Sequence, residues 1–492
     1  MRTPNATFER RAALVLVVAL LLIDLGVALR HPFLHGDSSR VVIGAQKLVD
    51  CFDHRVLTHC DKWVGGPASA TGRVARVGPW PLLQYVPAVV LRALGFSHDE
   101  TLRALILANA LALPVLYYLL WITFRRTRAS AWAPLLAVAM LASPLWWYGV
   151  AAFGEALDAT IVVAAVAAVL LRGPPALVGA LVALASIAKE TNPPFVLALV
   201  VICLVAQTAR RPEEKAASRR LLIAAVVGAI LGVAANAAFN VVRFGSVRNT
   251  IYLQSFEHTY DAAIVARAFA AQWVAPNGGL LWFWPCSIAI VGLTVSGAIW
   301  TLRRTGVSWK TATPLLVAGV LIVYVVGLST WYSPFGWFAW GPRLMLPLLP
   351  AMLLICSVLA SERATYVLQR FMAGRAFWPA ALLVIAIGVP EVTVLFQAHV
   401  MGRFFAAGPG CVIPVVARNA HEYYRCFNFH AWQKRPFMLQ RGLEGFGPVG
   451  GRVTVLAFVA AVIMLLKTGR TSAQRTLALV PSTKFAPRLP RK

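Results

Sequence analysis

Charge is what this sequence has least of. Of its 492 residues, 13% are charged and 59% hydrophobic, where a soluble domain carries about 25% charge. Acids are the scarcest, with 19 Asp and Glu against 46 Lys and Arg, a net charge of +27. At this length, a mean hydropathy of +0.70 excludes one soluble core. Strict apolar–polar alternation is missing, which excludes an outer-membrane barrel. Seven cysteines are too few for a disulfide scaffold. There is no P-loop and no dinucleotide fingerprint, so no nucleotide pocket is expected. The internal repeats common in transporters are not visible. No cleavable signal peptide is expected either. The apolar run after Arg10-Arg11 is about 18 residues, long enough to remain a membrane helix.

What is there is a series of continuous apolar runs, which in a bilayer means helices. The expectation is an all-α polytopic membrane protein of about 12 transmembrane helices (11–13), with interfacial helices and extracytoplasmic loops. The spans fall at 12–29, 103–124, 131–151, 157–171, 175–189, 193–208, 221–242, 279–301, 313–330, 344–360, 376–397 and 451–466. Residues 79–95 are apolar but interrupted by Pro79, Pro81 and Pro87, and proline breaks helix hydrogen bonding. They read as an interfacial or re-entrant helix.

The basic residues sit in loops between spans, where they set orientation rather than bind nucleic acid. Both termini are then cytoplasmic. Of the 19 acids, only Glu9, Glu213, Glu214 and Glu362 fall on that side. Two outside loops are long, 30–102 and 398–450. The catalytic region is expected over 1–360, with further membrane helices over 361–466 and a basic, disordered tail over 467–492. Cys51 and Cys60 share the first loop, and Cys411 and Cys426 share the last. Both pairs suit disulfides in an oxidising compartment. Cys203, Cys286 and Cys356 fall in spans, where a thiol is a small apolar group.

The residues able to carry chemistry gather at the outside ends of the spans. Asp37 follows span one; an aspartate there can act as a general base or cap the helix that begins beside it. Glu155 and Asp158 are three apart and share a helical face; in a first turn they also suit the helix dipole. Lys189 ends span five, where an ionisable group is a functional suspect; snorkelling and a local ion pair with Glu190 are the alternatives. Asp24 is a second intramembrane charge. Arg243 and Arg248 flank Phe244-Gly245-Ser246, and arginine forks match phosphate oxygens. Arg343 stands below the aromatics of 331–340. His421, Glu422 and His430 lack the spacing of a metal site; no cofactor is required by the sequence, and a divalent metal is left open.

The order Gly36-Asp37, Glu155, Lys189, Asn240…Arg243-Phe-Gly-Ser246…Tyr252, Asn277-Gly-Gly-Leu-Leu-Trp-Phe…Pro285 and Trp340-Gly-Pro-Arg343…Pro347 resembles the GT-C glycosyltransferases. The branch it is most similar to is that of the protein mannosyltransferases and aminoarabinose transferases. The resemblance covers residues 12–360. It implies transfer of a sugar from a polyprenyl-phosphate donor on the extracytoplasmic face of a bacterial plasma membrane, with inversion at the anomeric carbon. The acceptor would be a glycan, lipid or protein hydroxyl. Asp37 would be the base and Glu155 a second acid of the site. Arg343, Arg243, Arg248 and Lys189 would meet the donor phosphate. Asp158, Tyr252, Trp340 and His35 are expected to contact substrate. Ser38 departs from the pattern, since many relatives carry a second acid there. A flippase for lipid-linked sugars would share such a cavity without needing Asp37. A glycan ligase or polymerase using a lipid pyrophosphate would share its basic character.

Overall fold

The computed structural model describes residues 4–30, 37–60, 78, 80–127, 129–149, 154–249, 260–275, 278–331, 342–388 and 447–479. Among these residues the chain is helical, with no β-strand. In chain order the helices are α1 (Pro4–Arg30), α2 (Asp37–Asp53), α3 (Leu82–Ala93), α4 (His98–Thr127), α5 (Ala133–Leu141), α6 (Leu145–Gly149), α7 (Glu155–Leu170), α8 (Pro175–Ala188) and α9 (Asn192–Arg210). They continue as α10 (Lys215–Phe244), α11 (Ala262–Val274), α12 (Leu280–Phe283), α13 (Pro285–Thr305), α14 (Trp309–Ser329), α15 (Leu349–Val358), α16 (Glu362–Ala373), α17 (Phe377–Gly388) and α18 (Gly447–Leu479).

Within the described residues every apolar run read from the sequence falls on helix, but not every helix is long enough to cross a bilayer. Six among the described residues are, or seven if α15 and α16, bent by 97°, form one span. Among the described residues, length and apolarity therefore mark fewer spans than twelve. Helices α7 and α8, of 16 and 14 residues, rise only about 24 and 21 Å. The run 131–151 is broken at Ser143 between α5 and α6. Helix α3 has Pro81 before its first turn and Pro87 within it. Its 12 residues reach about 18 Å, short of a ~30 Å core, as expected for an interfacial element. Helix α18 runs on to Leu479, into the segment 467–492 read from composition as a tail. Its last turns have packing partners, with Ala473 buried.

Two cores organise the chain. The larger runs through α1, α4, α7, α9, α14 and α15. The smaller joins α2, α3 and the start of α4, and the Cys51–Cys60 disulfide lies within it. Tyr85 reaches across this lobe to donate to the Gly44 carbonyl at 2.6 Å. Cys203, Cys286 and Cys356 are free and buried.

Helices α8 and α10 pack backbone to backbone. A Cβ on Gly228 would overlap the Gly179 carbonyl, and one on Gly232 would overlap Ser186. Small residues four apart let membrane helices approach this closely, where dispersion replaces the hydrophobic effect. Asn236 adds a hydrogen bond to the Ser186 carbonyl at 2.8 Å. On its other side α10 exposes Ile223, Val227, Ile230 and Leu231, a face suited to lipid and not to water. At one end of this helix group, Glu214 pairs with Arg172 and tethers the α9–α10 turn to the α7–α8 turn. The polar site lies at the other end.

The contact at Gly228 gives a direct test. Gly228→Leu is expected to cost about 2 kcal/mol or more through overpacking, read as a lowered unfolding temperature in detergent. Gly319→Ala, where an added Cβ meets nothing within 4 Å, should stay within about 0.5 kcal/mol of the parent.

Candidate active site

The site is built where α7 begins, α8 ends and α9 begins. Gly154 enters α7 in the left-handed region, φ +72°, which favours glycine, and a Cβ there would overlap the Gln84 side chain of α3. This turn puts Glu155 and Asp158 in the first turn of α7, where acids suit the positive end of the helix dipole. Both are buried, at 7% and 4% exposure. They share one face, as their spacing requires.

Each acid has a partner from a distant segment. Arg343 donates through Nε to Glu155 Oε1 at 2.5 Å. Asn192, at the start of α9, donates to Asp158 Oδ1 at 2.7 Å and to the Ala185 carbonyl at 3.0 Å. Arg343 lies in the short 3-10 turn Arg343–Met345. Tyr324 of α14 fixes that turn by donating to the Leu344 carbonyl at 2.6 Å, and Phe195 packs edge-on against the Tyr324 ring.

Lys189 completes the cluster. It follows α8 in extended backbone, φ −158° and ψ 130°, and in extended chain successive side chains point to opposite sides. Lys189 therefore turns toward Glu155, Asp158 and Arg343, the charges that act on it. Glu190 turns the other way, toward Arg243 at 3.7 Å, and accepts from Asn240 and Asn249 at 3.3 Å each. A local Lys189–Glu190 pair is thus not what forms. Lys189 Nζ, Glu155 Oε2 and Asn192 Oδ1 are buried with no hydrogen-bond partner among the described residues. Each such atom costs about 1–3 kcal/mol, and here three lie in one cluster.

Arg243, expected at the donor phosphate, is held here by groups of the chain itself. Its side chain is fully buried. It donates to the Gly78 and Trp80 carbonyls at 3.1 and 2.8 Å and to Asn240 Oδ1 at 2.6 Å. The Tyr85, Phe239 and Phe244 rings surround its guanidinium at 5.6, 4.8 and 4.9 Å, a favourable cation–π cage. Gly245, at φ +67°, ends α10, and a Cβ there would overlap the His59 ring. The Arg-Phe-Gly-Ser segment thereby ties the small lobe to the bundle. Arg248 is exposed in the turn after it.

Helix α2 begins at Asp37, where the sequence places either a cap or a base; its side chain lies outside the described residues. So do His35, Tyr252, Trp340, Cys411, Cys426, His421, Glu422 and His430. Among the described residues no group of three or more His, Cys, Asp or Glu is placed to hold a metal ion. Asp24 of α1 is fully buried and separate from the cluster, with neither oxygen hydrogen-bonded among the described residues. Asn192 and Tyr324 are site residues that sequence reading missed. Asn192 carries a faint signal, a polar residue between Lys189-Glu190 and two prolines. Tyr324 carries none, lying within an apolar run.

No family model matches the chain, and no curated protein matches it. Two solved structures are similar, both of ArnT from Cupriavidus metallidurans. The one bound to undecaprenyl phosphate is 16% identical, over 97% of this chain and 81% of that one, with a TM-score of 0.45. The apo structure is 17% identical, over 94% and 76%, with a TM-score of 0.47.

Two outcomes test this geometry. Arg343→Met removes the hydrogen-bonded cation of buried Glu155 and should destabilise by about 3 kcal/mol; adding Glu155→Gln should recover part of that loss in a double-mutant cycle. Arg243→Lys, which loses the fork, should raise hydrogen exchange across α2 and α3, whereas Arg248→Ala should leave exchange there unchanged.

Proposed function

We propose that the chain is an integral membrane glycosyltransferase that moves a sugar from a polyprenyl-phosphate donor to an acceptor hydroxyl. The carrying observation is Lys189 Nζ, buried beside Arg343 and two acids without a hydrogen-bond partner among the described residues. A buried cation is costly alone and gains most from an anionic ligand. A donor phosphate is an anion of that kind, and its lipid tail suits an apolar bundle. The order of Asp37, Glu155, Lys189 and Trp340-Gly-Pro-Arg343, which resembles the GT-C enzymes, supports the same reading.

In the reaction, the acceptor O–H gives its proton to the Asp37 carboxylate. The acceptor oxygen forms a bond to the anomeric carbon from the face opposite the phosphate, so the centre inverts. The anomeric C–O bond to phosphate breaks, and the phosphate leaves with the electron pair. Lys189, with Arg343 held in place by Glu155, stabilises the charge that develops there. Fixed cations do this without solvent reorganisation. Asp158, oriented by Asn192, receives sugar hydroxyls. The site faces the extracytoplasmic side of a bacterial plasma membrane, with both termini cytoplasmic, because every short loop on the opposite side is basic.

The test uses undecaprenyl phosphate binding to the purified chain together with sugar transfer. Lys189→Met should weaken binding about tenfold or more, as expected for a lost charge-assisted hydrogen bond. Asp37→Asn should bind as tightly as the parent but transfer no sugar. Unchanged binding in Lys189→Met contradicts the phosphate role, and retained transfer in Asp37→Asn returns that residue to a helix cap.

A further inference from the structure

The end of the bundle away from the acid cluster carries a continuous basic and aromatic belt that sugar transfer does not use. Arg210, ending α9, stacks 5.0 Å from the Trp309 ring, and Lys310 lies 5.7 Å from the same ring. Lys310 also pairs with Glu362 of α16 at 2.9 Å. Next to Glu362, Arg363 lies 4.8 Å from Trp300, whose ring also carries Arg304 at 4.4 Å. Helix α16 turns 97° from α15. It buries Ala364, Leu368 and Met372 against the protein but exposes Val367 and Phe371, one turn apart. A helix presenting apolar groups beside arginines, at right angles to its neighbour, has the form of one lying in a membrane surface.

Beside this belt, α9 and α10 form a groove of about 600 Å³. Val205 and Leu222 are among its apolar lining residues, and Thr208, Ser218, Lys215 and Arg219 line it as well. Apolar, hydroxyl and cationic groups lining one groove match the acyl chains, glycerol and phosphate of a phospholipid. We propose that this groove binds one anionic phospholipid. Lys215 and Arg219 hold its phosphate, and its acyl chains run down the Val205–Leu222 wall. The charge of these two residues selects an anionic over a zwitterionic headgroup, since basic residues at a membrane surface favour anionic lipid.

Native mass spectrometry of the full chain in detergent, with phosphatidylglycerol or phosphatidylcholine of identical acyl chains, tests this. The parent should retain phosphatidylglycerol with a preference of about tenfold, as two basic residues can provide. Lys215→Ala/Arg219→Ala should lose the preference, and Lys215→Arg/Arg219→Lys should keep it. Lys215 and Arg219 are exposed, so these variants leave the core untouched. Equal retention of the two lipids by the parent overturns the proposal, as does a preference that survives the double alanine variant. Undecaprenyl phosphate taken up in the same groove in place of phosphatidylglycerol overturns it too, by assigning the groove to the donor lipid.

Discussion

The ion pair between Glu155 and Arg343 joins residues 188 apart in sequence, and the rest of the site is arranged around it. A charge inside an apolar bundle is costly, and breaking a buried pair by removing one partner costs more still. That constraint draws the turn before α15 onto the start of α7. Tyr324 then holds the turn from α14, and Asn192 holds the second acid from α9. Four separated stretches of chain are fixed at one level by the hydrogen bonds of Glu155, Asp158 and Tyr324.

Close packing makes that convergence possible. The glycines and small residues of α8 and α10 let the two backbones touch, which brings the residues after α8 between α7 and α10. There the extended backbone at Lys189 divides two neighbouring charges between two networks. Lys189 serves the acid cluster. Glu190 joins the clamp in which Arg243 grips the carbonyls of Gly78 and Trp80. The small disulfide-bonded lobe is thereby anchored to the same short segment that shapes the site, so lobe and bundle hold their positions through two adjacent residues.

Much of this was legible in the sequence. The apolar runs marked the helices, and the three-residue spacing of Glu155 and Asp158 placed them on one face. Lys189 stood out as a charge at the end of an apolar run. The role of Arg243 was not legible. Local sequence shows an arginine before a glycine turn, which suits phosphate, but cannot show that carbonyls more than 160 residues earlier in the chain are aimed at it. The divergence of Lys189 and Glu190 depends on one residue's backbone angles, which composition does not encode. Tyr324 could not be picked out because a tyrosine in an apolar helix reads as core until its acceptor is seen.

The most direct measurement is the fate of the donor. The purified chain, reconstituted in liposomes with a panel of polyprenyl-phosphate sugars and a membrane extract as acceptor, would be followed by mass spectrometry of the lipid products. Glycosyl transfer predicts that one donor is converted to free polyprenyl phosphate while its sugar appears on the acceptor with inverted anomeric configuration. Donor that crosses the bilayer chemically intact, with no polyprenyl phosphate released, would contradict it.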